Sequence, residues 1–338
     1  MNVTIHRGTN ISHWLSQSDA RGDERRRRFT KADVVRLVDL GLDHLRLPVD
    51  EEQLWDEQGA PHEEAWDLLQ QGLDWTLAAG LNAVIDLHIL RSHHFNEGPK
   101  PLFTDPAAAA GFADCWRKLS ARLGSRPNDR VAYELLNEAV ADDPADWNRV
   151  LHLAYHAVRA REPERGLVLG SNRWNSVAQY EFLDVPPNDR NLILTFHYYL
   201  PMPVTHYRAS WTWPLKDYDG PIQYPGLAIP QEVFNQLPPE QQRRVGSMNA
   251  LGSRAVMEAD LMWPLAVAAR TGLPLYCGEF GVHTPAPDPI RAAWYEDFLA
   301  VLEARNIAWA NWDFRGSFGL FTADNRQTVA CTTLFPKA

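Results

Sequence analysis

Short apolar runs rich in Val, Ile, Leu and aromatic residues recur along the chain, each followed by a longer stretch with helical spacing. The runs fall at 3–10, 44–49, 83–88, 131–138, 167–171, 192–199, 273–281 and 307–314, which makes eight predicted strands. Most are near-continuously apolar, the pattern of parallel strands covered on both faces. Between them the apolar positions take the helical period. Thr30-Lys31-Ala32-Asp33 has the form of a capping box with Asp in place of Glu, and Val34, Val35, Leu37, Val38 and Leu40 follow before Gly41. Trp66, Leu69, Leu73 and Leu77 mark a helix over 63–79 that ends at Gly80. The segments 107–123, 144–161, 247–271 and 289–305 read as helices too, and Gly41, Gly80, Gly124 and Gly272 stand where a helix C-cap glycine belongs.

Alternating strands and helices, with no linker rich in Pro, Gly or Ser, predict an α/β fold: a closed (β/α)8 barrel of the TIM type, one domain over 1–338. An open doubly wound sheet fits less well, because Arg7-Gly8-Thr9-Asn10 on the first strand is no phosphate cradle. The longest irregular stretch, 201–245, follows strand six. Its Tyr207, Trp211, Trp213, Tyr218 and Tyr224 argue for an ordered functional loop on the face where such barrels carry their sites. The residues after Gly319 leave little room for a regular eighth helix.

Composition narrows the partners. Hydrophobic residues make up 45% and charged residues 22%, as in a folded globule, and no 18-residue apolar run predicts a membrane helix. A formal net charge of −10 disfavours nucleic acid. Cys115, Cys277 and Cys331 are too few and too scattered for a disulfide framework or a zinc site. The opening Met1-Asn2-Val3-Thr4-Ile5-His6 lacks a basic segment followed by an apolar one, so the expectation is a cytoplasmic protein. Thirteen tryptophans suggest a large core or a surface that stacks on flat ligands. The run Arg25-Arg26-Arg27-Arg28 reads as a solvated face, and His93-His94 as pocket or loop residues rather than metal ligands.

Polar residues at the C-terminal ends of barrel strands face the site. Those ends carry Arg46, His88, Asn137 with Glu138, His197 with Tyr199, Glu279 and Trp312. Two glutamates after apolar runs are what a retaining glycosidase needs: one protonates the leaving oxygen and the other attacks the anomeric carbon. Glu134, inside strand four, is expected to point elsewhere or to pair within the barrel, and Trp309 to belong to the core.

Several segments in order resemble glycoside hydrolase family 5, the cellulase family. They are Arg7-Gly8-Thr9-Asn10-Ile11, His44-Leu45-Arg46-Leu47-Pro48-Val49, Ile85-Asp86-Leu87-His88, Leu135-Leu136-Asn137-Glu138, Phe196-His197-Tyr198-Tyr199-Leu200-Pro201, Gly278-Glu279-Phe280-Gly281 and Trp309-Ala310-Asn311-Trp312-Asp313-Phe314. The resemblance implies a retaining β-glycosidase acting on β-1,4-linked glucan or its oligosaccharides, without metal or organic cofactor. It implies Glu138 as acid/base and Glu279 as nucleophile. Asn137 would bind the sugar 2-hydroxyl, Arg46 and Tyr199 would hold Glu279, His88 and His197 would line the subsite, and Trp312 would form its stacking floor. A β-glucosidase, a β-mannanase or a non-catalytic carbohydrate-binding barrel are the alternatives. The chain departs from the family after His88, where Ile89-Leu90-Arg91-Ser92 stands in place of a Pro-Gly turn.

Overall fold

Strands buried on both sides need both faces covered, and closing the sheet on itself achieves that without leaving an edge. The structure, a computed structural model, describes residues 3–213 and 215–336, so the Met1-Asn2 start and Pro214 of the long loop lie outside the described residues. Eight strands form the closed barrel: β1 (Arg7–Asn10), β2 (His44–Val49), β3 (Asn82–Leu87), β4 (Val131–Glu134), β5 (Gly166–Gly170), β6 (Leu192–Tyr198), β7 (Leu275–Phe280) and β8 (Ala308–Asn311). The order around it is β1-β8-β7-β6-β5-β4-β3-β2. Neighbours run parallel, with Arg46 opposite Val84, Asp86 opposite Glu134 and Val168 opposite Ile193. No helix among the described residues is long and apolar enough to cross a membrane.

The chain groups into two compact units. The first comprises Met1–His197, Trp263–Gly278 and Ala308–Ala310, and so holds the barrel strands apart from the last residues of β6, β7 and β8. Its interior is a layer of Val3, Ile5, Val84, Ala132, Val168, Ile193, Tyr276 and Ala310. Side chains alternate along a strand, so the residues two further on, Asp86, Glu134 and Thr195, project to the same interior, and His88 and His197 stand two beyond Asp86 and Thr195. The helices Glu63–Ala78, Pro106–Leu123 and Pro144–Arg159 each bury a tryptophan. The indole N–H groups of Trp66, Trp116 and Trp147 donate to the carbonyls of Leu54, Leu135 and Gly170 at 2.8–3.0 Å. Much of the tryptophan excess is therefore core that also fixes backbone, which satisfies the one polar atom of each ring. Trp309 is buried as well.

The second unit comprises Tyr198–Met262, Glu279–Ile307 and Asn311–Ala338. Its core is aromatic: Tyr198 stacks on Phe298 at 4.6 Å, Phe280 lies 5.2 Å from Phe298, and Trp294 donates to the Leu200 carbonyl at 2.9 Å. The 201–245 segment is not irregular throughout. It contains the helical turns Met202–Thr205, Gln231–Gln236 and Pro239–Val245, and Gly226–Leu227 pairs antiparallel with Leu251–Gly252.

Some expectations need correcting. The single helix over 247–271 is two, Arg254–Asp260 and Met262–Thr271. Pro264 has no N–H to donate back to the carbonyl of Asp260, which breaks the ladder there. The arginine run is itself a helix, Gly22–Arg28, and Arg25 is buried rather than solvated, donating to the Ala20 carbonyl and to Gln53. Gly41, Gly80 and Gly272 take left-handed φ of 85°, 86° and 69°, but Gly124 keeps φ −61° and continues its helix with a bond to Ser120. The chain ends in the short helix Val329–Leu334.

Gly8 faces the ring of His44, which lies between Asp43 at 2.8 Å and Tyr276 at 3.1 Å, and a Cβ at Gly8 would run into that ring. Gly8→Ala is expected to destabilise the protein by about 1–3 kcal/mol through overpacking. The measurement is the urea midpoint, which should fall while the slope of the transition stays unchanged.

Candidate active site

In the first unit a buried guanidinium organises the strand ends. Arg46 on β2 is fully buried and donates through Nε and Nη2 to Glu134 at 2.7 and 2.9 Å, a bidentate pair. Its Nη1 donates to Asn10 Oδ1 at 2.8 Å, its Nη2 to Asn137 Oδ1 at 2.9 Å, and Asp86 lies 3.0 Å away. Glu134 thus pairs inside the barrel, as its position in the strand suggested. Because Asn137 Oδ1 is turned to Arg46, its Nδ2 is left buried and without a protein partner, a donor for a ligand hydroxyl. Asp86 also meets His88, Nδ1 to Oδ2 at 2.6 Å.

Glu138 ends the segment that leaves β4. Leu135 and Asn137 still donate to the carbonyls of Val168 and Leu87, at 3.2 and 3.0 Å. The strand itself stops at Glu134, short of the expected 131–138, and Glu138 then turns to φ +47°. A non-glycine residue in the left-handed region costs of order 1–3 kcal/mol and persists only where its surroundings hold it. Glu138 is 8% exposed, with Oε1 2.9 Å from His197 Nδ1. Burial pushes its carboxyl up to about 8; Arg46 pulls it down, while Asp86 and Glu134 raise it further. Asp86 is likewise pushed up to about 7 by burial, against the pull of Arg46, and burial drives His88 well below the usual imidazole range. At neutral pH this burial favours the protonated form of the Glu138 carboxyl. His93, expected as a pocket or loop residue, is buried, with Nε2 accepting from the Val140 N–H at 3.2 Å.

In the second unit the expected contact of Tyr199 with Glu279 is present: the phenol donates to Oε2 at 3.1 Å. Glu279 lies in the C-terminal part of β7 and is 5% exposed. Tyr199 is backed by the His206 ring at 5.1 Å and by Phe318 at 5.9 Å. Burial lowers His206 to about 3, so the ring is neutral beside the phenol. Trp312 follows β8, is 8% exposed and donates its backbone N–H to the Phe280 carbonyl at 2.9 Å. In the long loop, Trp211 and Trp213 are exposed, Trp213 beneath the guanidinium of Arg244 at 5.2 Å.

The structure therefore gathers Arg46, His88, Asn137, Glu138 and His197 in one unit, and Tyr199, Glu279 and Trp312 in the other. Sequence reasoning did not single out Asn10, Asp86 or Asn175. Asp86 carried a signal, two residues before His88 on the same strand face; Asn10 and Asn175 carried none.

The family model "Cellulase (glycosyl hydrolase family 5)" matches residues 8–317. Endoglucanase C of Acetivibrio thermocellus is 29% identical over 330 residues, covering 96% of this chain and 95% of that protein. Cellodextrinase A of Ruminococcus flavefaciens is 30% identical over 309 residues, 90% of this chain and 84% of its own. Among solved structures, Thermotoga maritima Cel5A in complex with cellobiose has a TM-score of 0.78 at 21% identity, covering 98% of this chain and 96% of that one, a likeness of fold.

The raised carboxyl of Glu138 has a consequence for stability. A folded value of about 8 against an ordinary value of 4.5 means that the proton is held more tightly in the folded state. That stability is fully present below about pH 4.5 and is lost as pH rises through about 8. Glu138→Gln removes the ionisable group, so its melting temperature should exceed that of the wild type at pH 9 and match it near pH 4, by calorimetry at both.

Proposed function

The chain belongs to glycosyl hydrolase family 5, and on that premise we propose that it hydrolyses β-1,4-linked glucan or gluco-oligosaccharides with retention, through Glu138 as acid/base and Glu279 as nucleophile. The observation that carries the acid assignment is the buried, protonated Glu138 bonded to His197 at the end of the β4 segment. In the first step Glu138 gives its proton to the glycosidic oxygen while the Glu279 carboxylate attacks the anomeric carbon. The aglycone leaves as an alcohol and a glycosyl ester forms on Glu279. In the second, the Glu138 carboxylate takes a proton from water, water attacks the same carbon, and the ester bond breaks to release the sugar and regenerate both groups. Asn137 Nδ2 is the donor for the 2-hydroxyl, the Tyr199 phenol holds Glu279, Trp312 provides a flat apolar face for the ring, and His88 and His197 line the subsite. Two carboxylates supply acid, base and nucleophile.

The first product anomer, followed by proton NMR, should be β; an α product would overturn the scheme. Glu138→Ala should slow aryl cellobiosides with poor leaving groups by roughly 10²–10⁴, the usual contribution of general acid catalysis, and dinitrophenyl substrates far less. Glu279→Ala should abolish both, and azide should restore turnover to an inverted glycosyl azide.

The names of the relatives support the gluco-series: one is called an endoglucanase and the other a cellodextrinase. Exposed Trp211 and Trp213 on the loop after β6 support stacking on soluble chains. Soluble cello-oligosaccharides should be cleaved much faster than crystalline cellulose. In a parallel assay of gluco-, manno- and xylo-tetraoses, a preference for the manno-compound would favour the mannanase alternative.

A further inference from the structure

We infer that Asn175 is a positioning residue that fixes the tautomer of His197, and through it leaves one oxygen of Glu138 free to carry the catalytic proton. The inference rests on Glu138 being the acid. It starts from backbone strain after β5, where Arg173, Trp174 and Asn175 have consecutive φ values of +53°, +61° and +50°. Three successive non-glycine residues in the left-handed region need strong support. The support comes from the segment just after Glu138. Asn172 accepts from the Ala141 N–H at 2.8 Å and donates to the Ala141 carbonyl at 3.0 Å, and the Trp174 N–H donates to the Ala139 carbonyl at 3.2 Å. The same backbone seam thus holds the turns at Glu138 and at Asn175.

The strained turn delivers the Asn175 amide to the ring. Asn175 is fully buried, and its Nδ2 lies 3.3 Å from His197 Nε2. Gly170 makes room, since a Cβ there would run into Asn175 Oδ1. A neutral imidazole carries one N–H. When Glu138 is ionised, midway through the reaction, it requires a donor from His197 Nδ1. The ring then offers a lone pair at Nε2, and the nitrogen end of the amide is the end that can bond to it. With the amide nitrogen there, the ring hydrogen sits on Nδ1 and points at Glu138 Oε1, 2.9 Å away. That bond serves both states of Glu138. It occupies Oε1 as an acceptor, so the transferable proton resides on Oε2. The opposite tautomer would set a nitrogen lone pair against the carboxylate. The other groups acting on Glu138 in this unit, Arg46, Asp86 and Glu134, are not bonded to Asn175 and are left in place by its substitution.

The test compares Asn175→Ala and the near-isosteric Asn175→Asp on a series of aryl cellobiosides, with nitrogen-15 NMR of the His197 ring in wild type and variants, assigned by His197→Gln. Wild type should show Nδ1 protonated and Nε2 bearing the lone pair. The Asp variant, whose carboxylate can only accept, should draw the ring hydrogen to Nε2. Its kcat/KM should fall about ten-fold or more for poor leaving groups relative to dinitrophenyl substrates, part of the ~10²–10⁴ that an acid supplies, with the Ala variant between. A wild-type ring protonated at Nε2 would overturn the inference, as would equal losses on both substrate types in both variants. Should neither variant fold, the wild-type spectrum alone decides. If Glu138→Ala itself fails to discriminate between leaving groups, the acid assignment fails instead.

Discussion

The buried Arg46 guanidinium is the hub on which the polar cluster around it depends. Asp86, Glu134 and Glu138 lie in the same buried cluster, and His88, pushed down by burial, adds no charge. One cation cannot neutralise three carboxylates in a low-dielectric interior, so protons must be retained. The geometry decides where. Glu134 takes the bidentate face of Arg46, and Glu138 is bonded to an imidazole instead. Burial raises all three carboxyls, Glu138 to about 8 and Asp86 to about 7, and the charge of Arg46 opposes the rise in each. Asp86 and Glu134 add a smaller push to Glu138. A carboxyl raised in this way suits acid/base chemistry near neutral pH.

That arrangement needs side chains held at angles that regular strands do not supply. Glu138 sits at φ +47°, and the turn after β5 holds three residues in the same region. Such conformations are supported by a rigid frame. Here the frame includes Trp116 and Trp147, whose indoles bond to carbonyls at Leu135 and Gly170, in the segments that lead into the two strained turns. The helices that carry these two tryptophans thus brace the backbone where it leaves β4 and β5.

The barrel was legible because its signal is long-range: eight apolar runs alternating with helical stretches leave few other closures. Glu138 and Glu279 were legible because each closes an apolar run within a distinctive segment. Boundaries were less so. The run 131–138 stays apolar past the last ladder residue, Glu134, since burial continues after the strand geometry stops. Arg25 looked solvated because a run of four arginines hides which one faces inward. Asn175 could not be found at all: Arg-Trp-Asn carries none of the glycine that normally marks left-handed backbone.

In the proposed scheme each of the two reacting carboxylates is met by a ring-borne donor. Tyr199 presents a phenol to Glu279, and His197 presents an imidazole N–H to Glu138. A lysine or a charged histidine at either place would stabilise an ionised carboxylate more strongly. It would lower the acid strength match on Glu138 and dull the attack of Glu279. Such partners orient each oxygen. In the proposed cycle the mobile proton is the one on Glu138, passed to the leaving oxygen and recovered from water. The burial of Glu138 favours keeping it there until a glycosidic oxygen arrives.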